Sequence, residues 1–161
     1  KLLESYPMTE KLPFSSIVVM IQLEVARRLA AKEGTDDYGS ITASIALRAK
    51  AEKLFDVSAG NFHPVPKVAS AVVGIIPHGG IREVYPDAPA DNDECIKFAD
   101  NVGELISLAF GQRRKTLVNS ISSKYPKDKT TEVLETCGLR VDIRGEKLSA
   151  QDFCKIADKL N

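Results

Sequence analysis

What this chain lacks narrows it quickly. No apolar run approaches the ~18 residues that a membrane-spanning helix needs; the longest, Ile17 to Ile21, is strand-sized. No signal-peptide layout or targeting tail is visible, which predicts a cytoplasmic protein with no membrane partner. Cysteine is scarce: Cys95, Cys137 and Cys154 are odd in number, far apart, and form no Cys-x-x-Cys or Cys/His cluster. That pattern argues against a disulfide framework or a metal site and predicts free thiols in a reducing compartment. Net charge is missing too, with 22 basic and 22 acidic residues. Any attraction to a polyanion must therefore be local.

What is present is a globular composition, 43% hydrophobic and 27% charged over 161 residues. That length suits one ordinary domain, or one small domain plus part of another. The charges are sorted into blocks. Glu83 to Glu104 carries seven acids and the single cation Lys97, whereas Leu105 to Lys127 has no acid and five cations, Arg113, Arg114, Lys115, Lys124 and Lys127. A local basic surface of this kind suits nucleic acid, although a short basic run alone also fits a solvated helix face.

Along the chain, the β-branched run Ser15–Gln22 predicts a strand buried on both faces at the centre of a sheet. Helices are expected over Leu23–Lys32, with Val25, Ala26 and Leu29 inward, and over Ser40–Ala51. A short strand is expected at Lys53–Ser58 and a longer one at Lys67–Pro77. The connection between these two is too short for a parallel crossover, so they should pair antiparallel, as should Ser15–Gln22 with Lys67–Pro77. Residues 79–91, with Gly79-Gly80, Pro86 and Pro89, read as a linker between a first unit, 1–78, and a helical unit, 92–161. In the second unit, helices are expected at Asp93–Phe110 with Asn92 as cap, at Gln112–Ser123, at Thr130–Cys137 closing on Gly138, and at Ser149–Leu160 with a Ser149/Asp152 capping box. The fold class is thus α/β followed by all-α. The opening, Lys1 to Pro7, reads as a helix end running into a proline, as in the C-terminal part of a longer protein.

On a helix over Gln112–Ser123, Phe110, Arg114, Leu117 and Ile121 share one side, while Gln112, Lys115, Thr116, Asn119 and Ser123 share another. The second stripe is a set of donors suited to phosphate oxygens. Arg114 should bury its stem among the apolar residues and be structural, leaving Arg113 and Lys115 to solvent. Phe62 is the candidate for base contact. It sits between strands in a loop stiffened by Pro64 and Pro66, where a ring could stack on an extruded base or simply plug the sheet end. Lys67 fits a phosphate contact or a stem covering apolar surface. His63 reads as a solvent-facing loop residue or an RNA contact, and His78 as structural.

Three segments carry a family resemblance. Ala109-Phe110-Gly111-Gln112-Arg113-Arg114-Lys115-Thr116-Leu117-Val118-Asn119-Ser120 resembles the signature of the small-subunit ribosomal RNA adenine dimethyltransferases, the kasugamycin-sensitivity family. Asn61-Phe62-His63-Pro64-Val65-Pro66-Lys67-Val68-Ala69-Ser70-Ala71-Val72-Val73 and Arg144-Gly145-Glu146-Lys147-Leu148-Ser149 are similar to two further family motifs, in the family's order and spacing. Tyr38-Gly39 resembles a family loop. Ala69 departs from the usual Asp and Thr42 from the expected Ser.

The resemblance implies a Rossmann-like methyltransferase sheet followed by a helical RNA-docking domain. It implies twofold N6 methylation of two adjacent adenines near the 3′ end of 16S rRNA, during small-subunit assembly, with S-adenosylmethionine as methyl donor. It places Phe62 against the target adenine, and adds Arg144 and Lys67 to Gln112, Arg113, Lys115 and Asn119 as RNA-binding residues. The family's glycine-rich cofactor turn and its Asn-Leu-Pro-Tyr segment are not in this sequence. The cofactor is therefore expected to be held mainly by a part upstream of Lys1, and this chain alone is expected to be inactive and prone to self-associate. Two alternatives stay open: a nucleic-acid-binding module derived from a methyltransferase without catalysis, and a large-subunit rRNA adenine methylase.

Overall fold

The computed structural model describes residues 13–112 and 114–161. The expected helix end at Lys1–Pro7 and the side chain of Arg113 lie outside them. Three strands form one sheet: β1 (Ile17–Gln22), β2 (Ala49–Val57) and β3 (Ser70–Pro77). Both pairings are antiparallel, β1 to β3 from Ile17↔Ile75 to Gln22↔Ser70, and β2 to β3 from Ala49↔Pro77 to Val57↔Ser70. The short β2–β3 connection predicts that direction. The order β1-β3-β2 corrects the expectation that β1 is central, because β3 takes that place. A β-branched run specifies a strand and says nothing of its neighbours, which are non-local.

Register sorts the sheet into two faces. Ile17, Val19 and Ile21 lie on the side of Ala71, Val73 and Ile75, packed with Ala26. The other face leaves Val18 64%, Met20 52%, Phe55 57% and Ile76 52% exposed. Exposure of Val18 and Met20 corrects the expectation of a strand buried on both faces, because nothing among the described residues covers the second face of the sheet.

β1 passes directly into α1 (Leu23–Leu29), whose first amide is tied to the Ala69 carbonyl at 3.0 Å. Ala26 and Leu29 are buried as expected, but Val25 faces solvent. α2 (Ser40–Ala46) is shorter than its composition predicts. Ala49-Lys50-Ala51-Glu52 contains good helix formers, yet pairing to β3 recruits it into β2 and overrides propensity. Thr42 stands at the α2 start, accepting from the Gly39 amide (3.3 Å) and donating to the Arg28 carbonyl (2.6 Å). A hydroxyl suffices there, so the Ser-to-Thr departure costs neither bond.

The stretch expected as a linker is not loose. It holds α3 (Ile81–Val84) and buries Ile81, Tyr85 and Ala88. α4 (Asn92–Gly111) is capped by Asp91, one residue before the expected Asn92, through Glu94 N–H to Asp91 Oδ1 at 3.0 Å. α5 is the single turn Leu117–Ser120, and α6 (Lys127–Thr136) closes through Gly138 at φ +71°. α7 (Ala150–Leu160) opens with the expected Ser149/Asp152 capping box. Leu105, Ile106, Leu134, Phe153 and Ile156 form the helical core, and Tyr38, Ala43 and Leu47 from the α2 region belong to the same cluster.

Candidate nucleic-acid interface

The expected helix Gln112–Ser123 is a correction. Helical backbone ends at Gln112 (φ −137°, ψ 73°), passes through a turn in which the Lys115 amide donates to the Gln112 carbonyl (2.9 Å), and resumes at Leu117 after extended Thr116. The physical reason is a competing bond: the Leu117 amide is directed to the Ile143 carbonyl at 2.7 Å rather than into a helical ladder. No local pattern signals that partner, 26 residues downstream in the sequence.

The two helical stripes therefore do not form. Arg114 is exposed in the turn, so its expected stem burial is wrong. Gln112 and Lys115 are exposed beside it. Among the described residues, neither Arg114 nor Lys115 has an ion-pair partner, which leaves both cations open to phosphate.

The segment around Arg144 packs against both flanks of this loop. Arg144 lies between two contacts of its own backbone neighbours: the Ile143 carbonyl holding Leu117, and Gly145 pressed on Ala109. A β-carbon at position 145 would stand 3.0 Å from Ala109 Cβ and 3.3 Å from its carbonyl oxygen. Glycine is thus required for the close approach of the 143–145 backbone to the end of α4, and Arg144 is exposed there. Two motifs separated in sequence are thus in backbone contact, and each carries exposed cations.

Other expected contacts are already engaged. Asn119 Nδ2 donates to Thr116 Oγ1 (2.9 Å) and its Oδ1 accepts from Lys127 Nζ (2.9 Å), so Asn119 braces the exit of the loop. Lys124 Nζ lies 2.6 Å from Glu104 Oε2, and this hydrogen bond holds its ammonium above the usual lysine range. The acidic and basic blocks of the sequence therefore meet in space, and the free basic surface is smaller than five cations suggested.

Phe62 is positioned separately. Ser58 caps a short 3₁₀ turn, Ala59–Asn61, by accepting from the Gly60 amide at 3.3 Å, and the Phe62 amide closes on the Ala59 carbonyl. The half-buried ring lines an open recess of about 310 Å³ with His63, Pro64, Pro66 and Ser70. Its neighbours fit a planar apolar ligand, since two prolines and a ring offer flat, dry faces. Lys67 and His63 are exposed nearby. No hydrogen bond or ion pair links Phe62 or Lys67 to the basic loop among the described residues. His78 has a structural contact, Nε2 to the Ala46 carbonyl at 3.1 Å.

The described residues do not fit the methyl donor. All strand pairings are antiparallel, and the paired glycines Gly79-Gly80 precede a four-residue helix, with the Gly79 amide taken by Glu83 Oε2 at 2.5 Å. Among them there is also no group of three or more His, Cys, Asp or Glu able to hold a metal ion, and no helix long and apolar enough to cross a membrane. Cys95 and Cys154 are buried, and burial pushes the Cys154 thiol up to about 12.

Comparison with known proteins gives these observations a frame. The family model described as ribosomal RNA adenine dimethylase matches residues 1–161. The ribosomal RNA small subunit methyltransferase A of Chlamydia muridarum is 41% identical over 143 residues, 89% of this chain and 48% of the relative. That of Geobacillus kaustophilus is 36% identical over 158 residues, 95% of this chain and 50% of the relative. The chain spans about half the length of these curated relatives. Among solved structures, a dimethyladenosine transferase from Plasmodium falciparum superposes with a TM-score of 0.67 at 24% identity, covering 89% of this chain and 56% of that one. The 23S rRNA methyltransferase ErmE superposes with 0.59 at 19% identity, covering 91% and 55%. At those identities the likeness is one of fold alone.

Proposed function

Since the chain belongs to the ribosomal RNA adenine dimethylase family, we propose that it supplies the RNA-docking surface and the base-stacking recess of a small-subunit rRNA adenine N6-dimethyltransferase. The substrate is a pair of adjacent adenines near the 3′ end of 16S rRNA, in free rRNA or the precursor small subunit. The observation that carries this reading is the backbone contact between two distant motifs, Leu117 to Ile143 and Gly145 to Ala109, with Arg114, Lys115 and Arg144 exposed in them and no ion-pair partner for Arg114 or Lys115 among the described residues.

The division of labour follows from the chemistry of each group. Phosphate contacts from Arg114, Lys115 and Arg144, joined by Arg113 from the same motif, fix register and orientation without reading sequence. Phe62 stacks on the face of an adenine drawn out of its helix, and Pro64 and Pro66 exclude water from that face. An exocyclic adenine amine is a poor nucleophile, its lone pair delocalised into the ring. Orientation and exclusion of water are thus what these residues can contribute. S-adenosylmethionine supplies the methyl group in this reading and is bound by residues outside the described ones.

The names of the bacterial relatives favour the small subunit over the large one, although ErmE shares the fold. A binding module without catalysis is favoured by one observation, the lack of a cofactor cradle among the described residues. Methyl transfer by a full-length protein containing this sequence separates the two readings. With 16S rRNA as acceptor, Phe62→Ala should lower kcat/KM by roughly 5- to 150-fold, the equivalent of the ~1–3 kcal/mol of one base–aromatic stack. Full activity in that variant would rule out base stacking by Phe62, and no transfer by the parent protein would rule out the catalytic reading.

The uncovered sheet face supports a further expectation. Val18, Met20, Phe55 and Ile76 form an apolar surface of the kind that drives association, and the 161-residue chain by itself should self-associate through it.

A further inference from the structure

We propose that Tyr38 is a positioning residue. With Gly34 and Lys147 it clamps the 143–148 segment, and so holds the basic loop at a fixed distance from the Phe62 recess. The inference rests on the RNA-binding reading above and adds to it a device that neither the motifs nor the family match assigns.

The loop between α1 and α2 reaches across to a segment more than a hundred residues later. The Gly34 amide donates to the Glu146 carbonyl (2.7 Å), Lys147 Nζ donates back to the Gly34 carbonyl (3.0 Å), and the Tyr38 hydroxyl donates to the Leu148 carbonyl (2.8 Å). Three consecutive residues are thus held from one side. Tyr38 is 3% exposed, and its ring lies 5.9 Å from that of Phe110, which in turn lies 6.2 Å from Phe153. The hydroxyl is therefore aimed by packing.

The opposite end of the same segment holds the basic loop, through the Ile143 carbonyl on the Leu117 amide and Gly145 on Ala109. The α1–α2 loop is itself fixed to the sheet side, because Thr42 Oγ1 donates to the Arg28 carbonyl at the end of α1 and the α1 start is tied to Ala69. Hydrogen bonds linked by short chain segments therefore run from Ala69, at the end of the connection that carries Phe62, to the loop bearing Arg114 and Lys115. One RNA that touches both regions gains from a fixed separation, because the second contact becomes intramolecular at high effective concentration. An RNA too short to reach both gains nothing.

The experiment compares two probes on the 161-residue chain: the 3′-terminal segment of 16S rRNA and a hexauridylate. Tyr38→Phe keeps the ring and its Phe110 contact and removes the hydroxyl bond to Leu148. Lys147→Met, at an exposed position, removes only the Nζ bond. Each variant should weaken the long RNA by roughly three- to tenfold, the scale of one hydrogen bond to a neutral acceptor, and leave the hexamer within twofold of the parent. Equal losses on both probes would show a purely local structural role, and no loss on either would show that the clamp carries no coupling; both results overturn the inference. A parent chain that binds neither RNA would overturn the RNA-binding reading, and this inference with it.

Discussion

Replacing Gly145 by alanine tests the packing that assembles the basic surface. The added β-carbon would meet Ala109 at three atoms, Cβ at 3.0 Å, the carbonyl oxygen at 3.3 Å and the carbonyl carbon at 3.4 Å. Two of these are backbone atoms of α4 and cannot swing aside like the end of a long side chain. Forcing one methyl into such a site costs about 1–3 kcal/mol. For a chain of this length, each kcal/mol shifts Tm by ~2–4 °C, so Gly145→Ala should melt roughly 2–12 °C below the parent. Gly103 is the control, lying inside α4 with nothing within 4 Å of a built β-carbon. Gly103→Ala should stabilise by ~0.5–1 kcal/mol through helix propensity alone. The 143–148 segment, which holds the Leu117 amide through the Ile143 carbonyl, must also shift in Gly145→Ala, so RNA affinity should fall alongside Tm. Calorimetry and urea titration of both variants decide the matter. If Gly145→Ala melts like Gly103→Ala, close approach is not what fixes glycine there, and the account of how Arg144 reaches the loop is wrong.

Removing the Ser149 cap by Ser149→Ala should lower stability by about 1 kcal/mol, because the hydroxyl accepts from the Asp152 amide at 3.1 Å; urea denaturation reads this directly. Glu104→Gln should release Lys124 from its 2.6 Å partner and steepen the salt dependence of RNA binding by about 0.7–0.9 in log–log slope, whereas an unchanged slope would mean that Lys124 lies outside the interface. Alkaline pH should weaken the fold through two tyrosines. Burial, foremost, pushes Tyr38 and Tyr85 up to about 12 from 10.0. Their neutral forms therefore stabilise the folded state fully below pH ~10, and that contribution is lost as pH rises towards 12. Stability followed from pH 9 to 12 should fall in that window, and less steeply in Tyr38→Phe. Met20→Lys should reduce self-association of the 161-residue chain in sedimentation velocity; a parent that stays monomeric at high concentration would show that the exposed sheet face drives none.

Local rules carried much of the fold. The β-branched run, the Ser149/Asp152 box, Gly138 and the short β2–β3 connection each specify structure through near neighbours, and each element is where those rules put it. Errors arose where a distant partner overrides the local pattern. Among the described residues β1 lies at the edge because it pairs with β3 alone, and β2 begins early because β3 recruits Ala49 to Glu52. The Gln112–Ser123 helix breaks because Ile143 takes the Leu117 amide, and with it went the prediction that Arg114 is buried. The candidate residues were legible as types in a motif, but their juxtaposition was not. Nothing local in the sequence says that Gly145 presses on Ala109, that Glu104 returns to Lys124, or that Tyr38 reaches Leu148. Composition gave a basic block of five cations, and only packing shows that Lys124 among them is paired, with Glu104.

The most direct test of the central claim is the salt dependence of binding to the 3′-terminal segment of 16S rRNA, with Arg114→Ala, Lys115→Ala and Arg144→Ala measured beside the parent chain. All three side chains are exposed, so Tm should stay within about 1–2 °C of the parent in each variant. Each replacement should also flatten the log K against log salt slope by about 0.7–0.9, the signature of one fewer phosphate neutralised. A loop that serves only as a solvated turn would leave all three slopes equal to that of the parent, and that result would contradict the account.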